Sequence, residues 1–196
     1  MRQEFVKGLL PAARLLAALA LVFGGFSPTA PTVLAAAPAA PLAVPGINEF
    51  VVNHVGTDTT EFVEIFGLPS TDYSAYTLLS LEGDGAPAAG TIDRATPLGT
   101  TDANGYWSTG FGSNLYENGT MSLLLVQDFT GAVATDLDTN DDGVLDATPW
   151  TALVDSVAMT DLGAGDQTYG GVTLTPSFDG GAFVPGGASR IPNGTD

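Results

Sequence analysis

Apolar residues in this chain come in short runs. Beyond residue 35 the runs either alternate with polar positions or sit packed together, and clusters of Gly, Pro, Asp and Asn separate them. A strand buries every second side chain, whereas a helix buries one face at a period of 3.6 residues. No stretch after the first 35 residues carries the helical period. The segments 47–52, 61–66, 76–81, 105–108, 121–126, 152–159 and 168–174 read instead as strands. About seven short strands with frequent turn signals predict an all-β fold, a two-sheet antiparallel sandwich. Segment 121–126 (MSLLLV) is nearly continuously apolar and is expected at the centre of a sheet. In 152–159, alternation places Asp155 on the face of Leu153, Val157 and Met159. A carboxylate there needs a metal or backbone N–H groups as partner.

The first 35 residues follow another logic. Arg2, Lys7 and Arg14 precede and flank the apolar stretch 15–26 (LLAALALVFGGF), and Val33-Leu34-Ala35 gives an A-x-A-like site. This is the layout of a secretory signal, with cleavage after Ala35 or Ala36. The alternative is an uncleaved amphipathic anchor. A spanning helix needs about 20 apolar residues, so no stable membrane span is expected after cleavage, and the protein is placed outside the cell or on its surface. Residues 36–45 (AAPAAPLAVP) read as an Ala/Pro-rich linker. Residues 46–196 are long enough for one domain with its own core.

Charge narrows the function. The formal net charge is −17, and beyond residue 36 only Arg94 and Arg190 are basic. Such a surface repels phosphates, so no nucleic acid partner is expected through this domain. Cysteine is absent, so the fold rests on its core or on a metal rather than on disulfides.

One stretch has side chains spaced for a definite chemistry. Residues 138–146 read D-x-N-x-D-G-x-x-D. Calcium takes about 6–8 oxygens, and alternate positions of a tightly wound loop can aim them at one centre. Asp138, Asn140 and Asp142 fill positions one, three and five. Gly143 fills position six, where a sharp turn excludes a Cβ. The Val144 carbonyl would serve at position seven and Asp146 at position nine, with Asp136 as a spare ligand. The loop is not an EF-hand: position twelve is Pro149 rather than a bidentate Glu, and no helices flank it. It resembles the shorter loops of dockerin-like and thrombospondin-repeat-like modules. Asp155 or Asp161 are candidates for a missing ligand. Mg²⁺, which favours strict octahedral and water-rich sites, fits less well. The competing reading is a plain acidic turn, since Asp, Asn and Gly suit any exposed turn.

A second motif is a family resemblance. Ile47-Asn48-Glu49-Phe50, followed by Glu61-Phe62-Val63-Glu64-Ile65-Phe66 and then Tyr73-Ser74-Ala75-Tyr76-Thr77-Leu78, resembles the opening of the lamin-tail domain, an immunoglobulin-like sandwich. The match covers roughly residues 46–81; Gly105-Tyr106-Trp107 and 121–128 fit more loosely. Gly67 stands where relatives have Asn, and the Asp-rich insertion at 135–150 is extra to the minimal domain. The resemblance implies a binding or structural module, not an enzyme. In bacteria such domains accompany extracellular nucleases and phosphoesterases, or surface proteins. The final residues, 189–196, do not read as a closing strand.

Other constellations are weaker. Glu49, Glu61 and Glu64 could form a carboxylate cluster, but the resemblance assigns them to the strand signature. Alternation puts Glu64 with Phe62 and Phe66, as an internal acceptor. His54 is the only histidine and reads as a loop residue. Gly163-Ala164-Gly165-Asp166 reads as a hairpin turn rather than a phosphate cradle. Two sequons, at Asn118 and Asn193, suit turns. Tyr106, Trp107, Phe111 and Tyr116 could form a carbohydrate platform, although core packing explains Trp107 equally well. The leading expectation is an exported, non-catalytic, calcium-binding module in an adhesion or accessory role, its partner an unidentified protein or surface polymer. The alternatives are an N-terminal accessory domain of a secreted metal-dependent nuclease or phosphoesterase, and a carbohydrate-binding module.

Overall fold

The apolar runs pair into two sheets. In chain order the strands are β1 (Gly46–Val51), β2 (Phe62–Phe66), β3 (Tyr76–Glu82), β4 (Ile92–Pro97), β5 (Tyr106–Ser108), β6 (Met121–Gln127), β7 (Ala152–Met159), β8 (Val172–Leu174) and β9 (Gly187–Ser189). One sheet has the order β5-β2-β1-β9 and the other β4-β3-β6-β7-β8. All pairings are antiparallel except β7 with β8, which is parallel. This computed structural model describes residues 43–85, 89–178, 180, 181 and 183–194. The expected signal segment 1–35 and residues 36–42 of the expected linker lie outside them. Among the described residues no helix is long and apolar enough to cross a membrane.

The architecture is the all-β, two-sheet sandwich that the strand pattern predicts, consistent with the immunoglobulin-like fold that the resemblance implies. Between the sheets, Ile47 and Phe50 of β1 and Val63 and Ile65 of β2 meet Leu78 of β3 and Met121, Leu123 and Leu125 of β6. The remaining apolar residues of β3 and β6 point the other way. Leu79, Leu81, Leu124 and Val126 join Ile92, Leu137 and Tyr169 in a second core, against which Phe129, Leu145 and Trp150 pack. The stretch 128–150 therefore roofs the outer face of the five-stranded sheet. This explains why MSLLLV is nearly continuously apolar: β6 is covered on both faces. Burying each Leu is worth roughly 1.5–3 kcal/mol, so the roof contributes substantially to the fold.

Three expectations need correction. Among the described residues nine strands form rather than about seven. β4 (IDRATP) went unread because it alternates weakly and ends in Pro, which only an edge strand tolerates. β9 (GAS) carries no apolar signal; it exists because β1 offers it a partner, with Phe50 opposite Ala188 and Glu49 opposite Ser189. β9 ends at Ser189, and residues 190–194 beyond it form no strand, in keeping with the reading of 189–196. The expected strand 168–174 shortens to β8 because residues 167–169 turn aside to hold the acidic loop. In β7 a register shift between Asp155 and Leu153 breaks the alternation: Leu153 is 46% exposed, while Val154 and Val157 pack on the inter-sheet core.

Candidate metal centre

The 138–146 loop is wound around one carboxylate. Asp138 is fully buried, at 0% exposure. Its Oδ2 accepts hydrogen bonds from the Gly143 amide (2.8 Å) and the Tyr169 hydroxyl (2.9 Å), and its Oδ1 accepts from the Asp142 amide at 3.2 Å. The remaining side chains repeat the pattern at shorter range. Asp136 Oδ1 accepts from the Asp138 amide (2.9 Å), Asn140 Oδ1 from the Asp142 amide (3.2 Å), and Asp142 Oδ1 from the Val144 amide (2.9 Å). Asp146 Oδ2 closes the loop by accepting from the Thr139 amide at 2.9 Å and its hydroxyl at 2.7 Å. The winding requires Gly143, whose φ is +82° and where a Cβ would meet Gln167 Oε1 at 2.5 Å.

Two residues that spacing could not reveal hold the loop on the sheet. Tyr169 is anchored through its amide to the Ser122 hydroxyl of β6 at 2.9 Å, and it lies in the second core. Its phenol is pushed far above the ordinary tyrosine value, by burial first, then by the hydrogen bond to Asp138 and the charges of Asp138, Asp141 and Asp136. It therefore stays a proton donor. Gln167 Nε2 donates to the Asp141 carbonyl at 3.1 Å. Asp141 has a φ of +53°, and its Oδ1 is buried without a hydrogen-bond partner. That orphaned oxygen, together with the all-oxygen donor set, fits a hard cation.

The expected extra ligands lie elsewhere. Both carboxylate oxygens of Asp155 are gripped by Arg190, at 2.6 Å and 3.0 Å, and Oδ2 also accepts the Ile47 amide at 2.7 Å. Asp155 thus finds its partner in an arginine and a backbone amide rather than in a metal. Asp161 belongs to a trio with Asp84 and Asp166, whose oxygens lie within 4.8 Å of one another; Glu82, Asp93 and Glu117 form another. The loop carboxylates form no third trio among the described residues, because their oxygens are turned onto the loop's own N–H groups. In the second trio Glu117 is pushed up to about 8, by burial and by a hydrogen bond to Glu82, and Asp93 to about 6, by burial and the Glu82 charge.

The glutamates of the strand signature separate. Glu61, not Glu64, is the internal one: it is fully buried and accepts the Leu115 and Tyr116 amides. Glu64 faces outward beside Glu49 and accepts Asn48 Nδ2 at 2.9 Å. The sequence reading put Glu64 inside because it grouped it with two phenylalanines, yet Val63 and Ile65 fill the core. His54 sits in the β1–β2 loop, where Nε2 accepts the Thr59 amide at 2.9 Å. The aromatic platform divides: Trp107 and Tyr116 pack against the inter-sheet core, while Phe111 is exposed. Residues 163–166 form a turn within the connection between the parallel strands β7 and β8, so it is not a hairpin.

No family model, no curated protein and no solved structure matches this chain.

Proposed function

We propose that this protein is an exported, non-catalytic, lamin-tail-like binding module, in an adhesion or accessory role at the cell surface, whose 138–146 loop binds Ca²⁺. Asp138, Asn140, Asp142, the Val144 carbonyl and Asp146 would hold the ion, with Asp136 or Asp141 in reserve. The observation that carries the reading is the fully buried Asp138 carboxylate at the hub of a loop that wraps it with amides and a phenol. Five acids crowd positions 136–146. Their mutual repulsion loosens the roof over the five-stranded sheet, and a divalent cation offsets it. The metal supplies rigidity here, not a reaction.

A thermal melt in EGTA and then in excess Ca²⁺ tests this. A ligand at about 100 times its Kd adds roughly 2.7 kcal/mol to a state that alone binds it, which raises Tm by about 2–4 °C per kcal/mol at this size. The shift is expected to disappear in Asp142→Ala. An unchanged Tm in the parent protein overturns the metal assignment and leaves a solvated acidic turn.

A further inference from the structure

The outer face of the β5-β2-β1-β9 sheet carries an arrangement that its own fold does not require. Register sets Glu49 of β1 directly opposite Glu64 of β2. Side chains so opposed lie roughly 4.5–5.5 Å apart at Cβ, and like charges there are destabilising. The flanking positions in the same row, Ser189 and Ser108, are uncharged. Among the described residues the basic side chains that could relieve the pair are committed elsewhere. Arg190 forks onto Asp155, and Arg94 donates to the Leu115 carbonyl at 3.0 Å and lies over the Tyr116 ring.

Aromatic rings border this row on both sides. Phe62 meets Phe111 edge-on, with centroids 5.1 Å apart, and Phe111 is 76% exposed. On the far side Phe66 packs on Tyr106, and Asn193 closes over the Tyr106 hydroxyl. Asn48 donates to one Glu64 oxygen, which fixes the carboxylate.

We propose that this face docks an arginine side chain of a basic peptide segment on a partner protein. Charge complementarity selects the occupant: a chain of net charge −17 attracts cationic partners. A planar guanidinium can fork onto carboxylates while stacking on a phenylalanine, which a lysine ammonium does less well. Two carboxylates between hydrocarbon rings supply too few oxygens for calcium, which takes about 6–8. The proposal rests on the binding-module reading and names its partner class, but it does not require the calcium loop.

The test is calorimetric titration of the full chain, in saturating Ca²⁺, with acetylated and amidated Gly-Arg-Gly-Arg-Gly-Arg-Gly. The parent is expected to bind. Glu49→Gln/Glu64→Gln is expected to weaken binding about tenfold, or about 1.4 kcal/mol, without lowering Tm, since it removes a repulsion. Asp72→Asn/Asp128→Asn deletes the same charge from turns flanking β3 and β6 and is expected to leave affinity nearly unchanged. Phe111→Ala is expected to weaken binding, and the lysine counterpart of the peptide to bind less well. No binding by the parent, or equal losses in both double variants, overturns the proposal. Peptide binding that persists in a protein without a Ca²⁺-dependent melt would remove the metal reading alone.

Discussion

Tyr169 is the residue on which the acidic loop turns, and it stands 31 positions from the carboxylate it serves. Hydrogen bonds to charged groups are worth about 1.5–3 kcal/mol. Tyr169→Phe keeps the ring in the second core and removes only the donor, so it is expected to lower stability in EGTA by about 2 kcal/mol, read from a urea midpoint. The tight winding of the loop was legible because oxygen-bearing side chains at positions one, three, five and nine, with Gly143 at six, fall within a short span. Tyr169, Gln167 and the orphaned Asp141 oxygen were not, because only the fold brings residues 167–169 over the loop. Titration is also set residue by residue. Glu117 and Asp93 rise to about 8 and about 6 from ordinary values of 4.5 and 3.8. Raised acids contribute stability below their unfolded values and lose it as pH climbs through the folded ones. In EGTA, Tm is therefore expected to fall between about pH 5 and 8, and Glu117→Gln to flatten the upper part of that decline. A flat profile in the parent would show that the trio is solvated.

Among the elements, those with period-two burial were readable and those defined by a partner were not. β2 shows both sides of this. Its alternation located the strand, but which face is the core depends on Val63 and Ile65 being opposed by β1 and the second sheet. β9 is the extreme case, three small residues recruited by β1. Arg190, just beyond it, fastens this edge to β7 through Asp155 and donates to the Ile47 carbonyl at 2.8 Å. Removing one partner of a buried pair costs about 3–5 kcal/mol, and partial exposure reduces this. Arg190→Ala is expected to cost about 2 kcal/mol, and to speed amide hydrogen exchange at residues 187–190 before the rest of the sheet. Uniform loss of protection would contradict the view of β9 as a separately fastened edge. The roof 128–150 shows why an acidic insertion does not behave as a surface loop: Leu137, Leu145 and Trp150 anchor it from below while its carboxylates face their own amides.

For the whole molecule, two hydrophobic cores share one sheet. The inter-sheet core defines the sandwich, and the second gives the acidic loop a floor to be rigid against. A cation that tightens the loop therefore acts on global stability and not only locally, which is why a melt reports it. The outer face of the other sheet lies away from the loop, so metal and peptide readouts separate cleanly. The pairing of β1 with β9 has a kinetic meaning as well. Arg190 reaches Ile47 across 143 positions of sequence, and sheets built from such distant pairings assemble slowly, in milliseconds to seconds. β1 therefore waits for residues 187–189 to arrive before this edge is paired. Until then β1 would present an unpaired edge, a natural handle for chaperones and proteases that inspect incompletely folded chains.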